Sequence, residues 1–211
     1  MRILVTGFEP FLNHSVNPTA LLADALDGLS VGGARLSGVK VPVGYARAGD
    51  AMRAAFDEVR PDAVLMFGLA AETDSIRLER VGLNIDDTPH ADNDGVIRKG
   101  RLIEEDGPVG YWSTLPLAAI RDRLEADGIP VSVSRDCGGY LCNHLFFRAR
   151  HLIETRGLLI PAGFIHVPPL PEQVAGRADR TGMGLPDLMR AATAIAETTA
   201  GLVRALKGDE A

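Results

Sequence analysis

Pro130-Val131-Ser132-Val133-Ser134-Arg135-Asp136-Cys137-Gly138-Gly139-Tyr140-Leu141-Cys142-Asn143-His144 joins a β-rich run to a helical one across two glycines. Leu141, Leu145, Ala149 and Leu152 recur at helical spacing after that turn, so the stretch reads as strand, glycine turn, helix. Cys142 falls in the first helical turn. Unpaired N–H groups and the positive end of the helix dipole there favour an anion, which draws a thiol toward thiolate. The same N–H groups suit an oxyanion forming beside the sulfur. A buried structural cysteine fits the position equally well, because free cysteine is among the most buried residue types. The rest of the chain has to separate the two readings.

Strand and helix patterns alternate on both sides of this stretch. Arg2 to Phe8 reads as a short buried opening strand. After a loop, Asn17-Pro18-Thr19 supplies an N-cap with proline at the first helical position, and the helix runs to Gly28. Val39 to Val43 predicts a strand, Ala46 to Val59 an amphipathic helix stopped by Pro61, and Ala63 to Gly68 a strand buried on both faces. Ile76 to Ile85 alternates like one further strand, with Glu79 among apolar neighbours on one side. Asp87 to Gly107 reads as a long loop, which in a compact domain points to function or mobility. Leu115 to Asp127 predicts a helix, Pro161 to Val167 a strand closed by Pro168-Pro169, and Leu185 to Leu206 a last long helix. No linker, repeat or low-complexity segment intervenes. Residues 1–211 therefore read as one α/β domain: an open, mostly parallel sheet with helices on both faces, mixed if the strand from Ile76 is antiparallel.

Composition narrows the function. A chain of 211 residues that is 46% hydrophobic buries a substantial core, and its net charge of −6 argues against a nucleic-acid partner. Ile3-Leu4-Val5 is far shorter than a signal-peptide core, and no apolar run approaches membrane-spanning length. The two cysteines imply a reducing cytosol. They do not form a CxxC pair and lack the further ligands that zinc needs, so no metal site is expected and Cys137 reads as a bystander. No glycine loop has phosphate-cradling spacing, which argues against nucleotide chemistry.

A nucleophilic cysteine needs a base and a group to orient it. Of the five histidines, His144 follows Cys142 by about 200° of helical rotation and so points away. His151 also falls on the far face, and both read as helix-surface or packing residues. His14 and His90 lie in loops with nothing local to fix them. His166 ends an apolar strand just before the Pro-Pro break, where open α/β sheets place their ligands. It is the best candidate base. Glu79 is the best orienting group, since a carboxylate on an apolar strand face is costly unless paired; an ion pair with Arg77 or Arg98 is the plain alternative. Asp86, Asp87, Asp92 and Asp94 read as solvated loop and turn residues.

With those residues in place the chain resembles a known family. Leu4-Val5-Thr6-Gly7-Phe8-Glu9-Pro10-Phe11, then Asn17-Pro18-Thr19, closely resembles the opening of the type I pyroglutamyl peptidases, also called pyrrolidone carboxyl peptidases. Leu78-Glu79-Arg80-Val81, Gly138-Gly139-Tyr140-Leu141-Cys142-Asn143 and Gly163-Phe164-Ile165-His166-Val167-Pro168 follow in the family's order. The resemblance implies an open α/β/α sandwich and a cytoplasmic thiol peptidase without metal or cofactor. It implies peptides bearing N-terminal pyroglutamate as substrates and a homo-oligomer, tetramer or dimer, as the assembly. The family nucleophile matches Cys142, its histidine His166 and its glutamate Glu79. Its pocket phenylalanines match Phe8 and Phe11, and the residues before its cysteine match Tyr140 and Leu141. Two stretches depart from the family. Leu12-Asn13 stand where the family has Gly-Gly. The run Asp-Ala-Arg-Ile-Pro-Asp-Asn is Asp87-Thr88-Pro89-His90-Ala91-Asp92-Asn93 here, which puts His90 in place of a pocket isoleucine. These departures bear on substrate affinity and turnover and leave the three catalytic positions intact. The competing readings are an inactive peptide-binding relative of the same fold and, less favoured, a nucleoside-phosphorylase-like enzyme.

Overall fold

The computed structural model describes residues 1–11 and 15–208. The Leu12-Asn13 departure and His14 lie outside the described residues. The chain order is β1 (Arg2–Phe8), α1 (Pro18–Leu26), β2 (Ser30–Val31), β3 (Ala34–Val41), α2 (Tyr45–Val59), β4 (Ala63–Leu69), β5 (Ile76–Glu79), β6 (Val81–Leu83) and β7 (Gly110–Trp112). It continues through α3 (Leu117–Ala126), β8 (Val131–Ser134), α4 (Leu141–Thr155), β9 (Ala162–Val167), a short 3-10 turn at Pro171–Val174 and α5 (Leu185–Lys207). The described residues form a seven-stranded sheet in the order β2-β3-β1-β4-β9-β5-β8 and a separate two-stranded sheet of β6 and β7. The pairs β3–β1, β1–β4, β4–β9 and β5–β8 are parallel, whereas β2–β3 and β5–β9 are antiparallel. The sheet is mixed, and its antiparallel switch falls between β9 and β5.

Side-chain alternation sorts the two helical layers. Ile3, Val5, Leu65, Phe67, Ile76, Leu78 and Ile165 join one core with α1, α3 and α5. Leu4, Val64, Met66 and Phe164 join the other with α2 and α4. Residues two apart on a strand share a face. His166 therefore lies on the α2–α4 side with Phe164, and Glu79, out of phase with Ile76 and Leu78, lies there too. Helix α4 covers that side and carries Cys142.

Three expectations are corrected. The run from Ile76 to Ile85 is not one strand: it breaks at Arg80, and Val81–Leu83 leaves the main sheet to pair with Gly110–Trp112. The cause is a competing partner. The Asn143 amide on α4 accepts from the Leu83 N–H at 2.8 Å and donates to the Leu83 and Ile85 carbonyls at 2.9 and 2.8 Å. Those backbone groups are thereby satisfied without a sheet ladder. The strand expected from Val39 begins earlier, at Ala34, and the edge strands β2 and β7 were not legible as strands. Asp86 and Asp92 are buried rather than solvated, while Asp87 and Asp94 are exposed. Asp92 accepts from the backbone of Tyr45, Asp94 and Val96, which folds its own loop back against the start of α2.

Strand β1 and helix α1 approach closely because Gly7 has no side chain: a Cβ there would stand 1.8 Å from the Thr19 carbonyl oxygen. Thr19 uses its hydroxyl to accept from the Phe8 N–H at 3.0 Å, and Asn17 caps the helix by accepting from the Thr19 N–H at 3.0 Å. The Asn17-Pro18-Thr19 motif thus fixes where β1 ends. Because backbone rather than a flexible side chain opposes the missing Cβ, Gly7→Ala should cost about 3 kcal/mol, read as a lowered denaturant midpoint. A loss under about 1 kcal/mol would show that the helix can shift at little cost.

Candidate active site

The site begins with the register of three strands. Gly68 on β4 pairs with His166 on β9, and Arg77 on β5 faces His166 from the other side. Glu79 pairs with Phe164, one same-face step from His166. Diagonal neighbours of this kind are within reach of long side chains. The His166 Nδ1 and Glu79 Oε1 atoms lie 2.7 Å apart. Glu79 is 0% and His166 6% exposed, so neither charge is shared with solvent to any extent. Arg77 stands farther off, its guanidinium 3.5 Å from the same Oε1 atom, and donates to Ser134 Oγ and the Asp136 carbonyl. Of the two arginines considered as partners for Glu79, Arg77 is near and Arg98 is committed elsewhere.

Helix α4 brings the cysteine. Gly138 takes a positive φ of 80°, a conformation that favours glycine. Gly139 passes so close to the 84–101 segment that a Cβ would meet the Asp87 carbonyl oxygen at 2.1 Å, and its own carbonyl accepts from the Asp87 N–H at 2.9 Å. The helix then starts at Leu141 with Tyr140 as N-cap and without a side-chain cap, so its first-turn N–H groups keep their donor capacity. Cys142 is partly exposed, whereas Cys137 is buried. The His166 ring interacts with the Cys142 sulfur. Burial opposes a charge on His166, but the Cys142 sulfur first and Glu79 second outweigh it, and the imidazole is pushed up to about 9. Burial pushes the Cys137 thiol well up, with the Cys142 and Glu79 charges adding to the effect. The two thiols thus differ in burial.

Beside the sulfur lies a small, shallow cleft open to solvent. Phe8, Phe11, Tyr140 and Leu141 line it together with Val43 and Leu69, and Cys142 closes it. The Phe11 and Tyr140 rings stand 6.0 Å apart, and Tyr45 meets Tyr140 edge-on at the same distance. Burial pushes the Tyr140 phenol up to about 12, so it remains a donor, here to the Ala91 carbonyl at 2.9 Å. Val43 and Leu69 escaped the sequence reading. Their signal was present in principle, since both sit at or just past the carboxyl end of a strand in the central, parallel part of the sheet. His90 stands outside this lining: it is exposed, and its N–H donates to Thr88 Oγ1 at 3.3 Å.

His144 differs from its expected surface or packing role. It is buried, its Nδ1 lies 3.0 Å from Asp86 Oδ2, and Arg98 donates to the same oxygen at 2.8 Å. Arg98 also lies over the Tyr45 ring at 4.5 Å, and Tyr45 meets His144 edge-on. His151 keeps to packing, stacked on Phe147 and paired with the Tyr111 hydroxyl. Among the described residues no group of three or more His, Cys, Asp or Glu side chains could hold a metal ion, and no helix is long and apolar enough to cross a membrane.

A partly exposed cysteine at a helix start, beside a buried histidine in contact with a buried glutamate, is the arrangement of a cysteine hydrolase on an α/β/α sheet. Comparison with known proteins narrows the class. The pyroglutamyl peptidase family profile matches residues 1–207. The pyrrolidone-carboxylate peptidase of Halalkalibacterium halodurans is 39% identical over 196 residues, covering 92% of this chain and 97% of the relative. The pyrrolidone carboxyl peptidase structure from Thermococcus litoralis superposes with a TM-score of 0.93 at 36% identity, covering 99% of this chain and 96% of that one. Bacillus amyloliquefaciens pyroglutamyl peptidase I superposes with a TM-score of 0.92 at 32% identity, covering 95% and 97%. The chain belongs to the pyroglutamyl peptidase family.

The raised His166 value has a source that can be removed. Cys142→Ala takes away the strongest raising influence and leaves burial, which lowers the value. An NMR titration should place His166 near 9 in the native protein and clearly lower in Cys142→Ala. An unchanged titration would mean that the sulfur does not hold the imidazolium.

Proposed function

We propose that the protein is a cysteine exopeptidase that removes an N-terminal pyroglutamyl residue, with Cys142 as nucleophile, His166 as acid and base, and Glu79 as the group that orients His166. The observation that carries the assignment of roles is the 2.7 Å contact between His166 Nδ1 and Glu79 Oε1, which leaves the other ring nitrogen for the sulfur. The thiolate attacks the pyroglutamyl carbonyl, and the first-turn N–H groups of α4 receive the developing oxyanion. His166 gives its proton to the departing amine as the C–N bond breaks and the thioester forms. It then takes a proton from water, which attacks the thioester and releases pyroglutamate and the thiolate. Nothing in the family comparison favours an inactive relative.

The cleft supports the substrate class by what it lacks. Its walls, formed by Phe8, Phe11, Val43, Leu69, Tyr140 and Leu141, offer no carboxylate, and an amine-capturing aminopeptidase needs one. A pyroglutamyl ring carries no ammonium, since its nitrogen is closed into a neutral lactam. Glutamine at the same position would bury an unpaired charge at a cost of several kcal/mol, against a cation–π return of only about 0.5–2 kcal/mol. Selection is then mainly a penalty on the wrong substrate. His90 is assigned to the rim of the site, beside the Ala91 carbonyl that holds Tyr140. The free Cys137 and Cys142 suit a reducing, cytoplasmic setting. Assembly as a homotetramer or dimer is part of the proposal on the strength of the family resemblance alone.

Hydrolysis of pyroglutamyl-naphthylamide tests the assignment. Cys142→Ala should leave a folded protein without turnover, and Cys137→Ala should remain active. His166→Ala should cost roughly 10²–10⁴-fold, and Glu79→Gln less. An active Cys142→Ala variant would end the cysteine-peptidase reading.

The same protein should release pyroglutamate from pyroglutamyl-alanine and leave glutaminyl-alanine intact. Phe8→Ala or Phe11→Ala should weaken binding of the ring without abolishing alkylation of the thiol by iodoacetamide. Comparable cleavage of the two dipeptides would contradict the apolar-slot account even with Cys142 as nucleophile.

A further inference from the structure

Gly68 is the penultimate residue of the buried strand β4, next to His166 in register and on the same face of the sheet. Its φ lies outside the left-handed region, so the backbone does not require glycine there. A glycine inside a buried strand weakens it and marks a place where something else must approach. The steric surroundings identify that something. A Cβ built on Gly68 would stand 2.8 Å from the Cys142 sulfur, and 2.6 and 2.8 Å from two carbons of the Phe164 ring.

The ring has little room to retreat. Phe164 is fully buried and packs at 6.5 Å from Phe8, 6.1 Å from Phe146 and 5.0 Å from His166. The sulfur, by contrast, sits on the first turn of a helix and is partly exposed. It is the neighbour that would yield, outward and away from the imidazole.

We propose that Gly68 is a positioning residue for the nucleophile: its missing side chain is the slot that seats the Cys142 sulfur against the sheet, beside His166. The inference rests on the assignment of Cys142 and His166 as nucleophile and base, and it adds a residue that touches neither the substrate nor the imidazole proton. The sequence reading passed over Gly68 as the end of a buried strand. Glycine is the smallest floor that a sheet can offer. Any other residue at this register would lift the thiol off its partner, and reacting groups displaced by about 1 Å lose rate by roughly 10²-fold.

The experiment is Gly68→Ala, read in three ways. Turnover of pyroglutamyl-naphthylamide should fall about 10²-fold in kcat with KM little changed, because the apolar slot for the ring is left in place. The pH profile of iodoacetamide alkylation should differ from that of the native protein, as the sulfur leaves the imidazolium. The thermal midpoint should drop less when the substitution is made in Cys142→Ala, since the side chain it displaces is then gone; this comparison is a double-mutant cycle. Gly68→Ala with native kcat and a native alkylation profile would overturn the proposal. Should Gly68→Ala fail to fold, a folded Gly68→Ala/Cys142→Ala protein would support it. Equal destabilisation in both backgrounds would overturn it by assigning the slot to Phe164. The alkylation profile and the stability cycle do not use the peptidase reaction. A wild-type protein inert toward pyroglutamyl substrates would sink the functional reading and leave these two results standing.

Discussion

The Glu79 carboxylate has no exposure to solvent and sits on a strand whose neighbours are apolar. A charge in that position is tolerated only when it is paired, and the pairing comes from topology. Because β5 runs antiparallel to β9, Glu79 lands one same-face step from His166 rather than beside it, which suits a hydrogen bond between two long side chains. Arg77 adds a second, more distant positive group, and Glu79 Oε2 has no hydrogen-bond partner. The carboxylate is therefore directed almost entirely at the imidazole. Its cost to the fold and its value to the site are the same fact. The carboxylate that adds to the Cys142 sulfur in raising His166 also holds the ring in one orientation.

Cys142, the proposed nucleophile, is fixed by its neighbours rather than by itself. Tyr140 reaches the Ala91 carbonyl, Asn143 clasps the backbone of β6, and His144 joins the buried Asp86–Arg98 pair. Three residues around Cys142 thus tie the start of α4 to the segment from 81 to 98. Glu9 supplies another tie, accepting from the Val43 N–H and from Asn93 and so linking the ends of β1 and β3 to the same segment. The long Asp- and Asn-rich stretch, which looked like a loop of unspecified purpose, is stitched by its own buried carboxylates. A buried charge pair is weak evidence for stability in its own right. Here the Asp86 pairs serve geometry, because the elements they join carry the cleft walls and the sulfur.

The order of elements, the helix caps at Asn17 and the glycine turn before Cys142 were legible because each is a local signal of spacing or turn chemistry. His166 and Glu79 were legible for a different reason: one ends a strand, and the other is a charge where a charge is expensive. What escaped were features set by tertiary partners. The break at Arg80 depends on Asn143, some sixty residues away, and period-two alternation continues straight through it. The burial of His144 and Asp86 depends on each other and on Arg98, and no spacing rule in the helix announces a partner on another segment. Gly68 was the subtlest of these, since a glycine at a strand end reads as a terminator until the sulfur above it is seen. The family resemblance supplied the substrate class, which the spacing of residues alone did not.

The most direct test of the account is the identity of the covalent intermediate. A pyroglutamyl ester that acylates quickly, mixed with the protein and quenched in acid, should leave one pyroglutamyl group on the peptide that contains Cys142, as read by mass spectrometry. The group should accumulate within the first turnover and disappear as the substrate is exhausted. A protein that turns over the ester without any adduct at Cys142, or with the adduct on Cys137, would contradict the central claim.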